Sequence, residues 1–357
     1  AYSHIEASVY GENEYNSASV LMGADGSIDI TGSGLGPTIL AHVIYGDGEA
    51  SINIGSTEGI SITDELVQAL VTGDGSASIG METGGDITIT NSMVSAEVVD
   101  YGHAEVDMEV EGGIVIDNSD VTAYSGSSPI TSVIYMDADY FDIEDTTIEA
   151  VVYGNGTARI DLDSWDGDIS ITDSSILADV NGYGHAEVNL YAEDGSINII
   201  DTQPETEENP LICSVRAESD YGYDSSLVYM EASGDIDILD SLVEALVNYE
   251  GTSYIQLYAY EDADDSGNIS ITNSTVNAEV VGYSHAEVDL YADDGIIITD
   301  SSDITAYSGG SNLSSIVDIE ADYITIQDST VEAVVYGDST ATVDMDAWDG
   351  DISITDS

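Results

Sequence analysis

"GYSHAEVDLYADDGIIITDSS", Gly282–Ser302, alternates acidic with aliphatic side chains one residue at a time, and that period of two decides the fold. The same phrase returns as "GYGHAEVNLYAEDGSINIIDT" from Gly182 and as "DYGHAEVDMEVEGGIVIDNS" from Asp100. Working outward from Ser274, Val276, Ala278, Val280, Ala286, Val288 and Leu290 share one parity, while Glu279, His285, Glu287 and Asp289 hold the other. One parity is expected to face a core and the other water, because successive side chains of a strand point to opposite faces. A helical reading fails, since almost no stretch keeps the 3.6-residue spacing that an amphipathic helix needs.

The repeat extends over the whole chain. A signature opened by glycine recurs as "GSIDIT" (Gly26), "GISITD" (Gly59), "GDITITNS" (Gly85), "GIVIDNS" (Gly113), "GDISITDS" (Gly167) and "GSINIID" (Gly195). It continues as "GDIDILDS" (Gly234), "GNISITNS" (Gly267), "GIIITDS" (Gly295) and "GDISITDS" (Gly350), with tyrosine-led copies at Tyr140 and Tyr323. Breaks fall at "NS" or "DS", at the Gly-Tyr pair and at Asp-Asp-Gly, so each unit divides into three short strands joined by tight turns. Strands this short cannot bury an apolar face alone, but stacked coils can.

The expected fold is therefore all-β: a right-handed parallel β-helix of about 12 coils, each of about 26–28 residues and three strands, forming one continuous solenoid over residues 1–357. "YSH" or "YGH" at His4, His103, His185 and His285 marks a three-coil super-repeat, and Trp165 recurs as Trp348 in a near copy of its surroundings. "QPETEENP", 203–210, holds two of the four prolines and reads as a loop inserted into one coil. Both ends fall within the repeat and carry no atypical capping unit, so further repeats or other copies are expected there.

Composition restricts partners. Asp and Glu number 71 against two arginines, Arg159 and Arg216, for a formal net charge of -69. Nucleic acid and anionic membrane are repelled, and no apolar run approaches the roughly 18 residues of a membrane-spanning helix. Hydrophobic residues make up 42% and are patterned, which separates the chain from disordered polyacids. The one cysteine, Cys213, excludes an intrachain disulfide and stands at a core-facing parity.

"GDISITDSSILADVNGYGHAEVNLYAEDG", from Gly167, resembles the repeats of filamentous-haemagglutinin-type and other giant surface adhesins, which also read "GDI-x-I-x-[DN]-S-x-[IV]-x-A". The resemblance covers almost the whole chain and implies an exported, elongated protein of the cell surface. Extreme acidity, 23 tyrosines and the absence of lysine depart from that pattern. Acidic sheath and surface-layer proteins of archaea share that composition and form an equal candidate lineage.

Candidate chemistry centres on oxygen ligands. "DLDSWDGD" places Asp161, Asp163, Asp166 and Asp168 around a turn, and "DMDAWDGD" repeats it with Asp344, Asp346, Asp349 and Asp351. Such turns suit Ca²⁺, which takes about six to eight oxygen ligands, although the EF-hand spacing and the calcium-binding nonapeptide are missing. Diffuse cation binding is the alternative, because stacking sets like charges about 4.8 Å apart, each pair costing on the order of 1 kcal/mol even in water. Histidines three coils apart lie about 14 Å from one another and cannot share an ion. Sequons at Asn155, Asn268, Asn273 and Asn312 would accept glycans on an exported chain. No cofactor is required by the sequence.

The expected function is that of a structural protomer of an extracellular filament, sheath or fibre, assembled with itself end to end or laterally under cation screening. Its alternative is the stalk of a giant adhesin that binds surface glycans or other cells. A β-helix carbohydrate-active enzyme is the third class. Lyases of that shape need a basic residue to abstract a proton, and near-identical coils argue against a unique cleft, so catalysis is not expected.

Overall fold

The computed structural model describes residues 4–10, 16–32, 39–44, 46–202, 213–220, 223–260, 267–310, 314–336 and 339–357. Among these residues there are strands and no helix, and every pairing between strands is parallel. The chain is a parallel β-solenoid. One face is a sheet of 12 strands, and each copy of the glycine- or tyrosine-led signature supplies one of them, from Ile28–Thr31 to Ile352–Thr355.

The other 22 strands build two further faces. The first carries segments such as Leu242–Val247, and the second segments such as Glu250–Ala259. Two strands, Met93–Val110 and Asp120–Ala138, run through both faces without a break, so each face again has twelve rungs, about 11 turns in all. Three strands per coil is thus the rule, with these two coils passing their first corner as continuous strand.

The parity read from Ser274 onward holds. Val276, Ala278, Val280, Ala286, Val288 and Leu290 are all fully buried, and Cys213 is buried in the same continuous core. One column of the first face is alanine in every coil, from Ala7 and Ala41 through Ala150 and Ala245 to Ala333. The second face begins with a column of alanine or serine, and its buried serines donate to carbonyls of the first face: Ser253 Oγ to Ala245 O at 2.6 Å, Ser132 Oγ to Val151 O at 2.7 Å and Ser226 Oγ to Leu246 O at 2.7 Å. Those short contacts show how closely the two faces approach, which is why only small side chains stand there.

The "NS" and "DS" breaks have a specific geometry. Asp64, Asn91, Asn118, Asp145, Asp173, Asp240, Asn273 and Asp328 all have φ between 47° and 57°, the left-handed region that Asn and Asp tolerate best after glycine. Except after Asp64, which Glu65 follows, the next residue is a buried serine or threonine whose hydroxyl donates two residues back, as in Ser119 Oγ to Asp117 O at 2.7 Å and Ser274 Oγ to Thr272 O at 2.7 Å. Serine therefore fills the corner and gives a second donor to a carbonyl that already accepts a backbone N–H from the preceding coil, as Asp117 O does from Asn91 at 3.1 Å and Thr272 O from Asp240 at 3.1 Å. At the corner between the first two faces Gly75, with φ +149°, lies so close to the coil before it that a Cβ would come within 1.8 Å of Gly48 O.

Coil length is less uniform than the signature suggests. Thr147 pairs with Ser175 after 28 residues, but Ile5 pairs with Ile39 after 34, Ser175 with Ser214 after 39, and Leu242 with Thr275 after 33. Each long coil includes residues that are not described, and the insertion expected at 203–210 lies outside the described residues. The first and third of these long coils were not anticipated from the sequence, because the signature strand survives in all three and only the spacing changes.

Candidate functional site

The outward positions of the second face form columns that run along the rod, since each residue stacks on its register partner in the next coil. One column reads Glu82, Glu109, Asp137, Asp163, Tyr191, Glu231, Tyr258, Tyr291, Glu320 and Asp346. Four consecutive carboxylates therefore stack before the first tyrosine intervenes. Burial raises the carboxyl of Asp137 above the ordinary range, with the charge of Glu109 adding to it. Burial likewise raises Asp163, with further contributions from Asp137, Glu193 and Asp161. These groups repel one another across the coil step, as the acid-rich sequence demanded.

Both arginines are consumed by the rod's own acids. Arg159 binds Asp161 at 2.6 Å, and Arg216 reaches Glu244 at 2.8 Å and Glu218 at 3.4 Å. Neither arginine neutralises the column of four carboxylates.

The aspartates singled out as candidate metal ligands are divided among different tasks. Asp161 accepts from Arg159 and, at 2.7 Å, from Asn189 Nδ2. Asp163 stands in the carboxylate column, Asp166 is exposed in the turn beyond Trp165, and Asp168 Oδ1 accepts the Ser196 N–H at 2.8 Å. In the second copy Asp344 stacks on Asp318 and Asp346 on Glu320, while Asp349 and Asp351 are exposed in the turn that follows. Among the described residues no three His, Cys, Asp or Glu side chains gather closely enough to hold a metal ion.

The histidines obey the three-coil period with one correction. His103, His185 and His285 share a column of the second face, separated by Thr131 and Thr157 and then by Ser225 and Thr252. Each bridges to a hydroxyl of the next coil: His103 Nδ1 to Thr131 Oγ1, His185 Nδ1 to Ser225 Oγ at 2.6 Å, and His285 Nδ1 to Ser314 Oγ at 2.7 Å. His285 Nε2 also meets Glu287 at 2.6 Å. His4, however, precedes Ile5–Tyr10 on the first face, and the position equivalent to His103 in that coil belongs to Ser17. "YSHIEAS" resembles "YSHAEVD" because alternation is the same on every face, so the letters alone do not say which face a strand joins.

Aromatic residues gather where the carboxylate column ends. Tyr258 lies 5.7 Å from Tyr229, 6.3 Å from Tyr260 and 6.2 Å from Tyr291 between ring centroids, and Tyr291 lies 5.3 Å from Trp348. The sequence showed many tyrosines, but the cluster depends on which coils stack in which register. Of the sequon asparagines, Asn155 and Asn273 are exposed and Asn268 is half-buried, while Asn312 lies outside the described residues.

A further feature had no sequence signal. A groove of about 800 Å³ runs along the corner between the second and third faces, from Gly23 and Asp25 past Glu82, Glu109 and Asp137 to Trp165. It exists because the column that carries acids and tyrosines elsewhere carries glycine in the first two coils. No protein-family model, curated protein or solved structure matches the chain.

Proposed function

We propose that the chain is a structural rod of the cell exterior, a protomer of a filament, sheath or giant fibre whose lateral spacing is set by cations. The observation that carries this reading is the unbroken column Glu82–Glu109–Asp137–Asp163, whose charge no arginine offsets. Two such rods cannot lie side by side until cations fill the space between their acidic faces.

A stalk of a giant surface adhesin is the second reading, favoured by the half-exposed cluster of Tyr229, Tyr258, Tyr260, Tyr291 and Trp348, a surface on which sugar rings can stack. Neither reading assigns a catalytic role. The recurrence of the histidine–hydroxyl bridges in three coils supports a clamp between coils rather than a single reactive centre.

Negative-stain electron microscopy of the purified chain in millimolar Ca²⁺, and again after chelation at equal ionic strength, tests the assembly. Fibres or sheets that come apart on chelation are the expected result. Separate rods of about 50 Å in both conditions would remove self-assembly and leave the stalk.

A further inference from the structure

The groove at the corner of the second and third faces is built to stay open. At Gly23 and Gly55 an added Cβ would meet nothing closer than 4.0 Å and 3.9 Å, whereas at the corner glycine Gly75 it would lie 1.8 Å from backbone. Backbone geometry therefore does not require glycine at positions 23 and 55. The same column accepts Tyr191, Tyr258 and Tyr291 in later coils, so large side chains fit this strand. What glycine provides here is a cradle that side chains would otherwise fill.

The lining selects a ligand by what it lacks. Asp25, Glu82, Glu109, Glu111, Asp137 and Asp139 contribute acceptor oxygens, and no lysine, arginine, asparagine, glutamine or histidine lines the groove. Its hydroxyls are already engaged within the rod: Ser56 Oγ with Gly59 O at 2.9 Å and with Thr83 Oγ1 at 2.8 Å, and Thr57 Oγ1 with Asp25 O at 2.7 Å. A sugar needs donors and acceptors together, but an ammonium group offers donors only, which complements a surface of acceptors. The carboxylates are strung along the axis, one coil step of about 4.8 Å apart, rather than converging on a point. A single metal ion cannot use that arrangement, but a chain of ammonium groups separated by three or four methylenes repeats at roughly the same distance. Trp165, 51% exposed, closes one end with a face suited to a cation.

We propose that this groove binds a linear oligoamine, laid along the rod with its ammonium groups against the carboxylates and its end over Trp165. The groove shares Glu82, Glu109 and Asp137 with the carboxylate column on which the proposed assembly rests, but binding of an amine to a single rod is read separately from assembly. Repulsion already stored in the wall supports it: burial and the charges of Asp166, Asp86 and Glu111 raise the Asp139 carboxyl, a cost that bound cations relieve.

The test uses the full chain carrying Trp348→Phe, which leaves Trp165 as the reporter, titrated with spermine in about 150 mM NaCl, where long-range screening is strong. A saturable change in Trp165 fluorescence with one-to-one stoichiometry by calorimetry is expected. Adding Gly55→Tyr should weaken binding at least tenfold while leaving the melting temperature unchanged, and Asp318→Asn, outside the groove, should leave affinity unaltered. Equal affinity in the Gly55→Tyr protein, equal loss in the Asp318→Asn protein, or displacement by Mg²⁺ at matched charge concentration would each show a diffuse ion atmosphere and overturn the site. Oligolysine binding more tightly than spermine would overturn the small-amine ligand in favour of a basic protein segment.

Discussion

Asp179 stands outward on the first face with Glu218 as its register partner in the next coil. Burial pushes its carboxyl up to about 6, the Glu218 charge adds to the shift, and the hydrogen bond from Asn181 opposes it. The folded-state value lies above the ordinary 3.8, so the folded protein binds this proton more tightly than the unfolded chain does. Stability from the protonated group is therefore complete below pH ~4 and is lost as pH rises through about 6. Asp224, also raised to about 6 by burial, acts in the same direction, although the Gly184 N–H bond and the nearby His185 pull it back. Replacing Asp179 by asparagine keeps an acceptor for Asn181 and removes the charge. Asp179→Asn is expected to raise stability at pH 7.5 on the order of 1 kcal/mol once solvent screening is allowed for, and to leave it unchanged at pH 4. Thermal melts of both proteins at the two pH values decide this, and a gain at both would assign the effect to packing instead.

Between the first and second faces the limiting dimension is width. The alanine column faces the alanine and serine column, and Ser253 Oγ reaches Ala245 O at 2.6 Å, so no room remains for a larger residue. Ala245→Leu is expected to cost about 2–3 kcal/mol through overpacking. Because each coil touches only its neighbours, the loss should stay local: hydrogen exchange should accelerate in Leu242–Val247 and in the strands that pair with it, Ser214–Ser219 and Thr275–Val280, while Leu66–Val71 keeps its protection. Uniform acceleration would mean that the rod unfolds as one unit. Alternation made the strands, their core parity and the repeat count legible in the sequence, since those depend on side chains two apart in one segment. That His4 stands on a different face from His103, that two further coils are long and that the groove exists were not foreseen, for a common reason. Each depends on register between segments about 27 to 39 residues apart, which the alternation within a segment does not encode.

For the whole molecule the governing quantity is the distance over which its charge is felt. Twelve rungs make a rod of about 50 Å at a coil step of about 4.8 Å, carrying a formal net charge of -69. At about 0.01 M salt the screening length is near 30 Å, so a carboxylate such as Asp137 is repelled by acids up to roughly six coils away. At about 0.1 M the reach falls to two coils, and at about 1 M to less than one, so that even the register neighbours Glu109 and Asp163 are largely screened. Unfolding lets these charges separate, so repulsion destabilises the solenoid most where screening is weakest. The melting temperature should therefore rise steeply between about 0.01 and 0.1 M and flatten towards 1 M, equally in NaCl and KCl. Salt acts here on the same repulsion that protonation of Asp179 and Asp224 relieves, so the rise should be smaller at pH 5 than at pH 7.5. A flat salt curve would show that the carboxylate columns are neutralised by something other than the ion atmosphere. A rise specific to one cation would point the same way.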